Sequence, residues 1–272
     1  MTFYQAIRSI QREHKSLLCV GLDTDVRKIP KFLLSHRDPV QEFNSRIIEA
    51  TRDIVCAYKI NLAFYEAMGE CGWRTVQQTL ACIPEEVVTI GDAKRGDIGN
   101  SAELYARSIM DDYNFASCTV NPYMGEDAVR PFAENRAKGA FVLAVTSNPG
   151  AKDFQYLSVN GKPLYERVIA TVKKWNTKRN LGLVVGATRP SEMARVRKLV
   201  PEMPLLIPGI GAQGGDVKST VRYGCDVRGE MAIINASRSI IYASNGEDFA
   251  EASRMAAMKL RDEINAYRAQ FF

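Results

Sequence analysis

The sequence predicts a closed (β/α)8 barrel that forms a single domain over residues 1–272. Eight short apolar runs alternate with segments of helical period, which is typical of a parallel sheet whose outer face is covered by helices. A chain of 272 residues, 46% of them hydrophobic, is long enough for one such barrel and its core. An open, doubly wound sheet is the rival architecture, but no G-x-G-x-x-G motif follows the first strand.

The predicted strands are rich in β-branched residues and end in polar or turn-forming residues. The fifth strand is the most apolar, and Pro122 stops the fourth. In chain order the predicted strands are Leu17–Asp23, Val55–Asn61, Val87–Lys94, Ala116–Asn121, Ala140–Ser147, Leu181–Thr188, Leu205–Gly209 and Met231–Ala236.

The segments between these strands have the apolar spacing of amphipathic helices. A helix is also expected to open at Asn100, where Glu103 would complete a capping box. Two longer loops, Arg27–Asp38 and Ala151–Lys162, are expected to form a wall or lid over the barrel mouth. The other predicted helices cover about Gln41–Thr51, Phe64–Leu80, Glu126–Arg136, Leu164–Thr177, Glu192–Leu199 and Asp248–Ala269.

The composition argues against several classes of protein. The net charge of +5 is modest and no basic stripe is interleaved with aromatic residues, so no nucleic-acid partner is predicted. Neither a signal region nor a run of about 18 apolar residues is found, so no membrane partner is predicted. Six cysteines are scattered without C-x-x-C spacing, which indicates buried free thiols in a reducing compartment. We therefore expect a cytoplasmic protein.

The working site of a (β/α)8 barrel lies at the carboxyl ends of its strands. In this sequence those ends are far more polar than the strands themselves, which indicates a site that handles a polar small molecule. The strand ends carry Asp23, Lys59, Asn61, Asp92, Lys94, Asn121, Ser147, Thr188, Gly209 and Arg238.

The third strand carries the densest group of charges. Side chains two residues apart on a strand point to the same face, so Asp92 and Lys94 are expected to project together into the mouth. Glycines at 91, 96 and 99 allow sharp turns, and Asp97 follows on the loop. Acids and bases at this density after a buried strand favour a site with tuned pKa values over a solvated turn.

The last two strands predict a phosphate site. The segment Pro208–Gly215 is rich in glycine and exposes backbone N–H groups, and Arg238 after the eighth strand supplies a guanidinium fork that matches phosphate. Barrels commonly hold phosphate at this place. Glycines also make ordinary tight turns, so it is the pairing with Arg238 that favours a phosphate site.

Other chemistries fit the inventory less well. The two histidines, His14 and His36, lie outside the strand ends, which argues against a Ser-His-Asp triad or a histidine-based metal cluster. A Mg²⁺ site on Asp23 and Asp92 stays open, although neighbouring lysines already neutralise these carboxylates. A Schiff base on Lys59 or Lys94 is a further alternative. Two close carboxylates would keep Lys94 an ammonium ion, which suits a proton donor better than a nucleophile.

The segment Asp92–Ile98 resembles the D-x-K-x-x-D-I signature of the orotidine 5'-phosphate decarboxylases, and specifically their longer bacterial form. Ser101 stands where many relatives have a threonine, and it keeps the hydroxyl group. The resemblance spans nearly the whole chain in barrel order, through Gly21-Leu22-Asp23, Tyr58-Lys59, Thr146-Ser147-Asn148-Pro149-Gly150, Pro208-Gly209-Ile210-Gly211 and Arg238.

This resemblance implies that orotidine 5'-phosphate (OMP) is converted to UMP in pyrimidine synthesis, without a metal or organic cofactor. It implies a homodimer in which Asp97 of one subunit joins Lys59, Asp92 and Lys94 of the other. Lys94 would protonate C6 as CO₂ leaves, Asp92 would lie near the departing carboxylate, and Lys59 would hold Asp92 and contact the ribose. The other implied roles are ribose binding by Asp23, support of the array by Ser101, reading of the pyrimidine edge by Ser147, and phosphate binding by Gln213 and Arg238.

Two other functions remain open at this stage. D-x-K-x-x-D alone is shared with related sugar-phosphate decarboxylases and aldolases, which would use the same array with Mg²⁺ to form an enediolate. The other alternative is a barrel that binds a nucleotide without catalysis. The intact set of Lys59, Asp92 and Lys94 argues against that second alternative.

Overall fold

The computed structural model describes residues 1–211 and 214–272, and its main sheet is a closed parallel barrel, which confirms the predicted fold class. Its strands are β1 (Leu18–Gly21), β2 (Ala57–Asn61), β3 (Val88–Arg95), β4 (Ser117–Val120), β5 (Gly139–Val145), β8 (Leu181–Val185), β9 (Leu205–Pro208) and β10 (Ala232–Ala236). They pair around the barrel in this order, and β10 pairs with β1 to close it. A separate antiparallel hairpin is formed by β6 (Ser158–Val159) and β7 (Lys162–Pro163).

Helices cover the outside of the barrel and one of its ends. Over residues 1–211 and 214–272, no helix has both the length and the apolarity needed to cross a membrane. The helices are α1 (Phe3–Glu13), α2 (Pro39–Thr51), α3 (Leu62–Glu66), α4 (Glu70–Leu80), α5 (Gly99–Ala106), α6 (Leu164–Trp175), α7 (Pro190–Leu199), α8 (Val217–Gly224), α9 (Arg238–Ile241) and α10 (Phe249–Phe271).

Short helical turns complete the connections. A π-helical turn, Arg107–Asp112, continues α5. The 3-10 turns are Lys31–Ser35, Glu126–Ala128, Arg130–Ala133 and Pro149–Asp153.

Two of the predicted helices are wrong in extent. The segment predicted as one helix from Phe64 to Leu80 is divided into α3 and α4 at Gly69, whose φ of 66° is outside the helical region. The segment Glu126–Arg136 forms two 3-10 turns, because Pro131 has no amide hydrogen with which to continue a helix from the preceding turn. Helices α1, α8 and α9 were not predicted from the sequence.

The predicted capping box at Asn100 is wrong as well. Helix α5 begins one residue earlier, at Gly99, and the residue before it, Ile98, caps it in an extended conformation without a side-chain hydrogen bond. A capping box does occur at α1, where the Thr2 side chain accepts a bond from Gln5 and the Gln5 side chain bonds back to Thr2. That pattern could have predicted α1.

Helix α1 covers the amino-terminal end of the barrel. The Tyr4 hydroxyl donates to the carbonyl of Leu181 at the start of β8, and the Gln11 amide donates to the carbonyl of Ala232 at the start of β10. The ring of Phe3 packs edge-on against Phe141, with centroids 5.8 Å apart. The opposite end, where the strands finish, is therefore the end left for a ligand.

Candidate functional site

A cavity of about 690 Å³ opens at the carboxyl ends of the barrel strands. Two of the predicted strand-end residues, Asn121 and Thr188, do not line it. The others do, so the structure brings together Asp23, Lys59, Asn61, Asp92, Lys94, Ser147, Gly209 and Arg238.

Lys59 on β2 lies at the centre of the charged residues. Its Nζ is 2.9 Å from Oδ1 of Asp23 and 3.3 Å from Oδ2 of Asp92, and its side chain is only 4% exposed. Burial alone would lower the pKa of this lysine, but the charges of Asp23 and Asp92 outweigh burial and raise it. Lys59 is therefore a fixed ammonium ion that orients both carboxylates.

Asp92 is held as a carboxylate by its neighbours. Its Oδ1 accepts bonds from the Lys94 ammonium at 2.7 Å and from the Thr119 hydroxyl at 2.8 Å, while Lys59 faces its Oδ2. Burial would raise the pKa of this group, but Lys59 and Lys94, with the Thr119 bond, lower it to about 2. The site thus keeps a negative charge within reach of Lys94 at neutral pH.

Lys94 differs from Lys59 in being accessible. Its side chain is 52% exposed, so its ammonium group can meet a ligand in the cavity. The regular strand alternation predicted from Asp92 to Lys94 is wrong, because β3 advances four positions from Gly91 to Arg95 while β4 advances only two, from Cys118 to Val120. Lys94 takes a left-handed backbone conformation at this bulge, with φ of 49°. The two side chains still meet, but through an irregular backbone.

The predicted phosphate residues lie partly within the described structure. Arg238, the first residue of α9, lines the cavity together with Gly209 and Ser237. Gly211 has φ of 79° and lies so close to α9 that an added Cβ would be 2.8 Å from the Ser239 hydroxyl. Glycine at this position thus allows the backbone to pass beside α9. Gln213 lies outside the described residues.

Ser147 lines the cavity just after β5. The preceding residue, Thr146, is held by Gln155, which accepts its N–H at 2.9 Å and donates to its hydroxyl at 2.7 Å. The predicted lid segment Ala151–Lys162 is thus anchored to the residue beside Ser147. The other predicted wall, Arg27–Asp38, contributes Arg27 and Lys28 to the cavity lining.

Asp97 and Ser101 are not brought to the cavity within this chain. The Asp97 carboxylate accepts the N–H of Ile98 at 2.8 Å, and Ser101 is exposed on α5. The loop that carries Asp97 follows Arg95, whose side chain forms an ion pair with Glu66 and lies over the ring of Tyr105. Two residues beyond Arg95, Asp97 lies outside the cavity of its own chain.

Several residues that line the cavity were not predicted from the sequence. Thr119 lies two residues before the end of predicted strand 4, so the period-2 pattern could have placed it on the inner face. Tyr242 accepts the Asp25 N–H at 2.8 Å, but it lies beyond β10 in no strand and has no local signal. The remaining polar lining residues that were not predicted as site residues are Asp25, Thr146, Asn148, Asn235 and Ser237.

The metal alternative rested on Asp23 and Asp92. Both carboxylates bond Lys59. In the parts of the chain that the structure covers, histidine, cysteine and carboxylate side chains form no group of three or more that could hold a metal ion.

Comparisons with known proteins agree on one family. Residues 16–253 match the profile of the "Orotidine 5'-phosphate decarboxylase / HUMPS family". The orotidine 5'-phosphate decarboxylase of Dehalococcoides mccartyi is 48% identical over 275 residues, covering 100% of both chains, and that of Flavobacterium johnsoniae is 49% identical over 255 residues, covering 93% of both. The solved structure of Leishmania donovani OMP decarboxylase superposes with a TM-score of 0.87 at 37% identity and covers 99% of both chains.

Proposed function

Because the chain belongs to the orotidine 5'-phosphate decarboxylase / HUMPS family, we propose that it converts OMP to UMP and CO₂ as a carboxy-lyase of pyrimidine biosynthesis. The named relatives favour this nucleotide substrate over the sugar phosphates on which a related Mg²⁺-dependent decarboxylase or aldolase would act. The observation that carries the proposal is the alternating array Asp23–Lys59–Asp92–Lys94, which ends in an accessible ammonium group inside the cavity.

The proposed chemistry starts at C6 of the pyrimidine. When the bond from C6 to the carboxylate breaks, CO₂ leaves and its electron pair stays on C6, in an orbital that the ring carbonyls cannot readily delocalise. A fixed ammonium aimed at that carbon stabilises the developing charge and then delivers a proton. Lys94 has the position and the access for both tasks. After the transfer, Lys94 is a neutral amine that regains a proton from solvent.

The other members of the array prepare this step. Asp92 lies beside Lys94 and would face the departing carboxylate, while Lys59 holds Asp92 in place and contacts the ribose. Asp23, on the other side of Lys59, would accept the ribose hydroxyls. At the edges of the cavity, Ser147 would read the pyrimidine and Arg238, with Gln213, would bind the phosphate.

We further propose a homodimer with shared sites. Asp97 and Ser101 lie outside their own cavity, and the same segment exposes Ile98 at 56% and Leu104 at 48%. Exposed apolar side chains next to a carboxylate that lies outside the cavity of its own chain are typical of a surface that meets another chain. On a two-fold axis, Asp97 of the partner subunit would join Lys59, Asp92 and Lys94.

The proposal also includes a single-domain enzyme that works in the cytoplasm. Its six cysteines are free thiols, and Cys19, Cys56, Cys118 and Cys225 are buried, in keeping with a reducing compartment.

A spectrophotometric assay with OMP, run with and without EDTA, tests the function. We expect turnover that the chelator does not change, because Lys94 supplies the positive charge at the reacting carbon. If the protein instead acts on a sugar phosphate only with added Mg²⁺ and does not act on OMP, it is a sugar-phosphate decarboxylase or aldolase and this proposal is wrong.

A further inference from the structure

We propose that the hydroxyl group of Thr119 is a positioning group that holds the backbone of Lys94 and the carboxylate of Asp92 in one geometry for proton transfer. This inference rests on the proposed function and adds a residue to it. Thr119 lies on β4 and lines the cavity, and it is 1% exposed.

The Thr119 oxygen makes two hydrogen bonds of opposite direction. It accepts the backbone N–H of Lys94 at 2.9 Å, and it donates to Oδ1 of Asp92 at 2.8 Å. The Lys94 ammonium bonds the same Oδ1 at 2.7 Å. The three residues therefore close a ring that joins the main chain of Lys94, through Thr119 and Asp92, to its own side chain.

This ring has a structural reason at the bulge. The regular pairing of β3 with β4 is interrupted between Gly91 and Arg95, so the N–H of Lys94 needs another acceptor. The left-handed conformation of Lys94 is unfavourable for a side chain of its size and persists only where neighbouring groups hold it. The Thr119 hydroxyl provides that hold from the adjacent strand.

A neutral hydroxyl also suits the reaction. When Lys94 passes its proton to C6, its amine loses its charge and its bond to Asp92 weakens. The Thr119 bonds to Asp92 and to the Lys94 backbone do not depend on that charge. Thr119 would thus keep the amine and the carboxylate aligned until Lys94 is protonated again.

The test compares Thr119→Val, which keeps the shape and removes the hydroxyl, with Thr119→Ser, which keeps the hydroxyl. Thr89→Val is the matched control, because the Thr89 hydroxyl on β3 accepts the Ala116 N–H at 2.8 Å and lies outside the cavity lining. We expect Thr119→Val to lower kcat for OMP by about ten- to a hundredfold with KM changed by less than about threefold, since small misplacements of a reacting group act on kcat. Thr119→Ser should stay within about threefold of the unchanged protein, and so should Thr89→Val.

A second measurement does not depend on activity. Hydrogen exchange of the Lys94 amide, followed by NMR, should be at least about tenfold faster in Thr119→Val and should return to its original rate in Thr119→Ser. Should the valine variant fail to fold, Thr119→Cys, a smaller side chain whose thiol is only a weak donor and acceptor, takes its place with the same expected direction.

The results separate this inference from the proposed function. If the unchanged protein does not turn over OMP, the proposed function fails, and an unchanged Lys94 amide in the valine variant would then overturn the role of Thr119 by itself. If the protein is active, a kcat in Thr119→Val equal to that of Thr89→Val, or an equal loss in Thr119→Ser, would overturn it.

Discussion

The ammonium group of Lys94 lies 2.7 Å from the carboxylate of Asp92, although the backbone between these two residues is not a regular strand. The contact places the accessible lysine beside a carboxylate whose pKa is held at about 2. An accessible ammonium group and a carboxylate are thereby fixed side by side at the mouth of the barrel.

The first prediction concerns the proton donor. Lys94→Ala should lower kcat for OMP by about a thousandfold or more, because it removes both the acid and the stabilising charge. The fold should persist, since Lys94 is half exposed. Steady-state kinetics and the thermal unfolding midpoint check this, with Lys218→Ala, on α8 away from the cavity, as the control. A kcat near that of the unchanged protein would rule out Lys94 as the acid.

The second prediction concerns phosphate binding. Arg238→Ala should lower kcat/KM for OMP by about ten- to a hundredfold, which corresponds to the loss of one charge-assisted contact of about 1.5–3 kcal/mol. Orotidine, which lacks the phosphate, should hardly respond, because binding energy from a remote group acts only where that group is present. Equal losses on both substrates would mean that Arg238 supports the structure instead.

Arg228→Ala is the matched control for this measurement. Arg228 is an exposed arginine between α8 and β10, before the start of that strand and away from the cavity. It should leave kcat/KM for both substrates within about threefold.

The third prediction tests the shared site. A Lys94→Ala protomer and an Asp97→Ala protomer should each be nearly inactive as homodimers. In their heterodimer, one site carries both substitutions and the other carries neither, so purified heterodimers should regain up to about half of the original activity. Heterodimers as inactive as both parents would place the action of Asp97 within its own chain.

A control mixture of two other variants distinguishes complementation between subunits from a nonspecific gain of activity on mixing. Lys94→Ala mixed with Asp92→Ala should not recover, because Asp92 and Lys94 belong to the same cavity and each protomer then carries a damaged site of its own. Recovery in this control would show that mixing restores activity by some other route.

The fourth prediction is a dependence of stability on pH. The pKa of Asp92 in the folded chain is about 2, below its ordinary value of 3.8, mainly because Lys59 and Lys94 outweigh the effect of burial. A lowered carboxyl pKa stabilises the fold above the unfolded pKa and loses that contribution as the pH falls toward the folded value. Asp92 should therefore contribute about 2 kcal/mol at pH 6 that is lost between about pH 4 and pH 2.

Denaturant unfolding of the unchanged protein and of Asp92→Asn at pH 6 and pH 3 measures this contribution. The difference in the free energy of unfolding between the two proteins should narrow at the lower pH, because only the carboxylate titrates. If the difference in the free energy of unfolding is the same at pH 6 and pH 3, the lysines do not lower the pKa of Asp92.

Local patterns in the sequence are enough to predict the barrel and most of its cavity. Short, continuous apolar runs and the turn residues after them depend on the local chain, so all eight barrel strands and the polar residues at their ends could be predicted, including Asp23 and Lys59. Apolar spacing alone did not show where two predicted helices break. Gly69 divides the helix predicted for Phe64–Leu80, and Pro131 prevents one continuous helix over Glu126–Arg136.

Contacts between residues far apart in the chain set how Lys94 reaches the site and where the Asp97 loop lies. The bond that holds the Lys94 backbone comes from Thr119, 25 residues away on the neighbouring strand, and regular alternation does not allow for it. The Asp97 loop is turned out of its own cavity beyond Arg95, which is anchored by Glu66, 29 residues away. Sequence periodicity encodes which face of a strand is buried, whereas hydrogen bonds between distant residues select one irregular backbone out of many that satisfy the same pattern.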